Sequence, residues 1–252
     1  MSVLTSEAVV LRTWPMHEAD LIVSLFTRDY GKVKGVAKSA MRSRKRFGGT
    51  LEPMTLARAW FAERPRQELV RLDQLEIIRS PLSAPVDHAR MAVLSFFAEA
   101  LDESLPERDA QETVFRLLVS VLERTTTAQS DLVQPWMPLT YFSLWLTRLM
   151  GLLPDLVHCM TCGQALQGGE ISFNPFADGL FCALHRTGNA SMLSEDSWQL
   201  AQRMLRLPVA AFAAEPWPRR RAQDLRRFTL QALERHLERK LLSAEALSSL
   251  GG

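Results

Sequence analysis

The sequence predicts an α+β protein: a small closed β-barrel at the N-terminus, then an α-helical domain with a zinc-binding module embedded in it. Three observations predict this. Apolar residues run in short strand-length segments up to about residue 80, they recur at helical spacing after Pro81, and all three cysteines fall in one spaced pattern.

The first 80 residues contain five strand-like segments. Glu7–Trp14 and Asp20–Phe26 are rich in β-branched and apolar residues and are separated by Pro15. A turn at Asp29–Gly31 leads into Lys32–Lys38, where lysine and valine alternate, which predicts one buried face and one basic face. Leu51–Ala62 and Leu69–Ile78 follow, divided by Glu63-Arg-Pro-Arg66. Five short strands with turn signals between them favour a closed barrel, because closure removes the unpaired edges of an open sheet.

After Pro81 and Pro85 the period becomes helical. Val93, Phe97, Ala100 and Leu101 share one face, and Val114, Leu117, Leu118, Val121 and Leu122 share another. Leu139, Phe142, Leu146 and Leu149 define a third helix after Pro138, in which Trp136, Tyr141, Phe142 and Trp145 read as core. Residues 154–190 interrupt the pattern. Ser194-Glu-Asp196 is an N-cap with acids in the first turn. A last helix is expected over Gln223–Leu242, with Leu225, Phe228, Ala232, Leu237 and Leu241 inward and Arg226, Arg227, Arg235 and Arg239 on its polar side. The tail Ser248–Gly252 reads as frayed. The expected domains are 1–80 and 81–252, with 154–190 an insertion in the second.

Composition narrows the function. A 47% apolar and 23% charged chain of 252 residues is globular. The longest apolar stretch, Tyr141–Leu153, is short and carries Arg148, so no membrane span is expected. The N-terminus has no secretory pattern, and three cysteines argue against a disulfide framework, so a cytoplasmic setting is expected. The net charge of +2 is uneven: residues 1–80 carry 14 Lys/Arg against 9 Asp/Glu, and the remainder is net acidic. The basic end is where a polyanion is expected to bind.

Cys159-x2-Cys162-x19-Cys182-x2-His185 fits a four-ligand zinc site. Three thiolates and one imidazole complete a tetrahedron with no open position, which points to a structural Zn2+. Gly163 follows the second cysteine, where a metal-binding turn calls for positive φ. The alternatives are a redox dithiol or isolated core residues, and adjacent His158 is a poor competitor for His185.

The second feature is a run of cations without one acid: Lys32, Lys34, Lys38, Arg42, Arg44, Lys45 and Arg46. On a mobile loop between strands three and four, these suit DNA phosphates, giving salt-sensitive affinity. The alternative is a solvated charged loop. Phe26, Tyr30, Phe47 and Trp60 are the stacking candidates, each more commonly a core residue. A third cluster, Arg219, Arg220 and Arg221, is read as an acidic-peptide contact, a DNA contact or a solvated helix start. Phosphate-loop, dinucleotide-fingerprint, nucleophile-elbow and zinc-deaminase motifs are all missing, so an enzyme is not expected.

The order of these features resembles the bacterial recombination mediator family RecO, from Ala8-Val-Val-Leu11 through the final helix. The local likeness lies in Glu18, Leu21, Leu25-Phe26-Thr27, Gly31, Val36-Ala37-Lys38 and Arg42, and in Gly151-Leu-Leu-Pro154 before Cys159. The resemblance implies an oligonucleotide-binding (OB-fold) barrel, a helical C-terminal domain and, in many members, zinc. It implies binding of single- and double-stranded DNA, annealing of complementary strands, and action in the cytoplasm at the nucleoid. The implied partners are RecR, the C-terminal tail of the single-stranded DNA-binding protein and RecF, in loading RecA. The family's basic barrel surface carries over onto Lys32 to Arg46. The departure is His185, where zinc-bearing relatives commonly use a fourth cysteine. An RNA-binding barrel and a protein–protein adaptor with a structural zinc are the rival readings.

Overall fold

A computed structural model describes residues 3–63, 67–83, 87–126, 135–167 and 169–249. Pro85, Arg64 and Arg66 lie outside these residues, as does the end of the tail, residues 250–252. By contact the chain divides into two compact units, Met1–Gln129 with Leu241–Gly252, and Ser130–Lys240.

The first unit is built on five strands: β1 (Val3–Pro15), β2 (Leu21–Thr27), β3 (Gly31–Ala37), β4 (Leu56–Ala62) and β5 (Val70–Arg79). They close a barrel in the order β1-β2-β3-β5-β4, and β4 returns to β1. All pairings are antiparallel except β3 with β5. This five-stranded, partly Greek-key closure is the closed barrel expected from the strand pattern and the OB architecture that the family resemblance implied.

β1 can pair on both sides because it is 13 residues long and carries an irregularity between Val10 and Arg12. Such a bulge bends a strand and increases its twist, as a small barrel requires. Alternation then fills the interior: Ala8, Val10, Val23, Leu25, Val33, Ala37, Ala57, Ala59, Phe61, Val70, Leu72 and Leu75 form one buried cluster. The fourth strand starts at Leu56, later than expected, since residues 51–54 form a turn in which Met54 has φ +68°.

Three longer helices belong to the same unit. α2 (His88–Ser104) and α3 (Glu112–Thr126) follow the barrel, and α7 (Leu242–Ser249) packs on α2. The expected apolar faces of α2 and α3 are buried. Phe26 of β2 meets Phe115 of α3 edge-on, with ring centroids 5.5 Å apart. Gly31 has φ +67°, and a Cβ there would run into the Asp109 backbone, so both the turn and the close approach of the α2–α3 connection require glycine.

The second unit contains α4 (Trp136–Leu149), the hairpin β6 (Ile171–Phe173) with β7 (Ser191–Leu193), α5 (Glu195–Met204) and α6 (Gln223–Leu237). α4 starts two residues before Pro138, which therefore sits in the first turn, where no N–H is needed. Trp136, Tyr141 and Phe142 are buried as expected. Ser194 caps α5 by accepting from the Ser197 N–H.

The last helix differs from expectation. It ends at Leu237, Glu238 takes φ +54°, and a separate α7 begins at Leu242. Glu99 of α2 caps the new start: its carboxylate accepts from the N–H groups of Leu242 and Ser243 and from the Ser243 hydroxyl, satisfying orphan donors of α7. Arg226 also departs from the expected polar side. It is turned inward, donating to Thr140 Oγ1 and the Arg221 and Arg219 carbonyls, and burial holds its pKa down to about 10.

Candidate nucleic-acid interface and metal centre

The segment between β3 and β4 carries most of the predicted cations. It holds a one-turn helix, α1 (Arg44–Phe47), and is tied back by side chains. Arg46 donates through Nε to Ser43 Oγ at 3.1 Å and through a terminal nitrogen to the Lys38 carbonyl at 2.8 Å, and its guanidinium lies over the Phe47 ring. Phe47 is 3% exposed and anchors the turn in the barrel core. Lys38, Arg42 and Lys45 point to solvent. Arg42 faces the exposed Glu18 at 3.9 Å, and the Lys38 and Lys45 ammonium groups have no partner among the described residues. The side chain of Arg44 lies outside the described residues.

Lys32 and Lys34, which the sequence grouped with these cations, are held by acceptors of the chain itself. Lys32 is only 6% exposed, and its ammonium donates to the Asp102 carbonyl; burial pushes its pKa down. Lys34 Nζ lies 2.7 Å from Glu107, whose hydrogen bond raises the lysine pKa. Both partners sit at or just beyond the C-terminal end of α2, in the acidic stretch leading to α3, which runs beside the start of β3: the Arg108 N–H donates to the Lys32 carbonyl at 2.9 Å. The alternation in β3 was legible, but its two lysines meet acceptors of the same chain: Lys32 the Asp102 carbonyl and Lys34 the Glu107 carboxylate.

The stacking candidates divide as well. Phe26 and Phe47 are core, and Tyr30 packs edge-on against Phe61. Trp60 is half-buried on the outside of β4. Trp14, which was not singled out, is also half-buried and outward, with the Arg12 guanidinium 5.7 Å from its ring centroid. Its signal was its place near the end of a strand directly before the β1–β2 loop.

In the second unit, Cys159, Cys162, Cys182 and His185 converge, with all four ligand atoms within 4.8 Å of one another. A tetrahedral site with metal–sulfur bonds of about 2.3 Å places sulfurs about 3.8 Å apart, so this set can hold a metal ion. Gly163 takes φ +69° as expected, and its N–H donates to the Cys159 carbonyl. His185 turns Nδ1 to the sulfurs, 3.3 Å from Cys182 and 3.8 Å from Cys159. His158 is exposed and bonded to Asp155 at 2.7 Å, outside the cluster. Burial opposes ionisation of Cys159, but N–H groups from Cys182, Cys162 and Thr161 outweigh it and hold the thiol at about 6. An anionic sulfur in a preformed nest is what a cation needs.

The arginine cluster is largely committed to its own unit. Arg221 bonds Glu215 and the Pro216 carbonyl and lies 4.3 Å from the Trp217 ring centroid, and Arg219 lies over Trp136. Arg220 is exposed on a cleft of about 500 Å³ lined also by Arg203, Asp196 and Pro218.

Residues 1–81 match the sequence model described as Recombination protein O N terminal, and residues 85–245 match Recombination protein O C terminal. The chain belongs to the recombination protein O family. It is 50% identical to the DNA repair protein RecO of Koribacter versatilis over 245 residues, covering 97% of this chain and 98% of that protein. It is 33% identical over 248 residues to the RecO protein of Anaeromyxobacter sp. strain K, covering 96% and 95%. It is 30% identical over 251 residues to that of Syntrophotalea carbinolica, covering 98% and 94%. Family membership therefore spans the barrel, the helical region and the metal-ligand cluster, and places the chain among DNA repair and recombination proteins. Among the described residues no helix is long and apolar enough to cross a membrane.

Proposed function

We propose that this chain is a non-enzymatic recombination mediator that binds single- and double-stranded DNA, anneals complementary strands and, with RecR and RecF, loads RecA onto DNA covered by single-stranded DNA-binding protein. One observation carries the proposal: in a chain of this family, the barrel displays an exposed turn with Lys38, Arg42 and Lys45 fixed by Arg46 and Phe47. Residues 1–80 are the DNA-binding domain in this reading, with residues 81–252 as the helical domain.

The mechanism is electrostatic. Cations at the turn neutralise phosphates and release counterions, and two strands held at one basic surface repel each other less, so pairing proceeds. Lys32 and Lys34 contribute to the fold of β3 rather than to this surface. In the second unit, Arg220 is the member of its cluster left to meet a carboxylate of the single-strand binding protein's tail.

Zinc is the metal that best suits three thiolates and one imidazole in a closed tetrahedron. Cys159, Cys162, Cys182 and His185 would hold it, and its contribution there is to fold stability.

The test is strand annealing of complementary oligonucleotides coated with single-stranded DNA-binding protein. Acceleration by the full chain is expected, and no acceleration overturns the reading. A clear preference for single-stranded RNA over DNA of equal length would replace it with an RNA-binding function.

A further inference from the structure

The outside of the barrel is divided into two rows by strand register. Arg12, Ser24 and Lys34 lie side by side across β1, β2 and β3. Two residues closer to the β1–β2 loop, Trp14, Ile22, Val36 and Arg71 form the next row, which reaches β5. Both rows face outward, because Val23, Leu25, Val33 and Ala37 of the same strands fill the core.

The first row is closed by the chain itself. Ser24 Oγ donates to Asp102 at 2.7 Å, Arg12 lies 3.7 Å from both Asp102 and Glu103, and Lys34 pairs with Glu107. A polyanion gains nothing there, since carboxylates already hold the cations. The second row remains half-exposed along its length. Arg71 in it is held by Asp73 through two hydrogen bonds of 2.7 and 3.0 Å.

The second row also adjoins the basic turn. Ser39 N–H donates to Asp20 at 2.7 Å and Met41 N–H to the Ala19 carbonyl at 3.1 Å, which ties the turn to the β1–β2 loop just beyond Trp14. An indole braced by Arg12 and next in its row to aliphatic Ile22, with Val36 beyond, thus lies on the face whose β1–β2 loop is tied to the turn carrying Lys38, Arg42 and Lys45. Trp60 offers a contrast. Its row is Thr5, Trp60 and Gln74, and the neighbouring outward row is Glu7, Arg58 and Glu76, which would repel phosphates.

We propose that Trp14 is a stacking platform for an unpaired nucleobase, with the adjacent turn taking the flanking phosphates. This rests on the DNA-binding reading above and adds to it a means of discrimination. A base in a duplex has both faces covered by its neighbours, so only a single strand gains the stack.

The experiment measures affinity of the full chain for a labelled single-stranded oligothymidylate and for a duplex of the same length, across a salt series. Trp14→Ala is expected to weaken single-strand binding roughly tenfold with an unchanged salt slope and unchanged duplex affinity. Trp14→Phe retains most of the binding, Trp14→Leu, which keeps the apolar bulk, loses it, and Trp60→Ala has no effect. Equal binding by wild type and Trp14→Ala, wild-type binding by Trp14→Leu, or equal losses on both oligonucleotides each overturn the stacking role alone. A wild-type chain that binds neither oligonucleotide overturns the DNA-binding reading, and the stacking role with it.

Discussion

Lys34 Nζ of strand β3 lies 2.7 Å from the Glu107 carboxylate, so an outward cation of the barrel is neutralised within the chain. Lys38, four residues on, stands exposed and unpaired among the described residues. The two lysines are indistinguishable by charge and differ in availability.

That difference sets the first prediction. Lys34→Ala leaves the dependence of DNA affinity on salt unchanged, whereas Lys38→Ala and Lys45→Ala each flatten it by about 0.7 in log–log slope for single strands. A Lys34 effect as large as that of Lys38 would show that DNA displaces Glu107. The cost of Lys34→Ala in stability is expected to be below about 1 kcal/mol, since the pair is half-exposed.

Glu99 holds the start of α7. Substitution by Ala leaves the Leu242 and Ser243 N–H groups and the Ser243 hydroxyl without their acceptor, with an expected loss of about 1–3 kcal/mol in denaturant unfolding. Faster amide exchange at Leu242 and Ser243 would locate the effect.

The same carboxylate predicts a pH dependence. Burial alone would raise its pKa, but donors from Ser243 and Leu242 and the charge of Arg12 outweigh burial and hold it below the ordinary 4.5. A depressed carboxylate pKa stabilises the fold above the unfolded value, and that stabilisation is lost as pH falls through the folded value. The stability difference between wild type and Glu99→Gln is therefore full at pH 7 and shrinks below about 4.5.

Removal of metal is expected to act on one unit. Cys182→Ser or a strong chelator abolishes binding of one zinc per chain, read by elemental mass spectrometry, and opens residues 154–190 to protease. Among the described residues the barrel core draws none from that segment, so fragments containing residues 1–80 are expected to remain resistant. Simultaneous digestion of both regions would contradict this separation.

Gly31→Ala tests the packing of the α2–α3 connection. The new Cβ meets the Asp109 backbone at a positive φ, where an L residue already costs about 1–2 kcal/mol. A loss larger than that in chemical unfolding is expected, because backbone cannot rotate out of the way as a flexible side chain can.

Much of this protein was written locally. Short apolar strand segments marked the strands, spacing of three to four residues marked α2, α3 and α4, Ser194 marked a cap, and Cys-x2-Cys with Cys-x2-His marked the metal cluster. Each pattern depends on neighbours within a turn or a loop, which a sequence displays directly. The basic run was legible as charge in the same way. Tertiary structure alone decided which of its members face water: Asp102 lies 70 residues from Lys32 in sequence, and in the same way Glu99 caps the start of α7 at Ser243, 144 residues on. The register that places Trp14 beside Ile22, in one row with Val36, rather than beside the acids flanking Trp60, is likewise a property of the closed barrel. A cation announces itself in sequence; the carboxylate that silences it is chosen by folding.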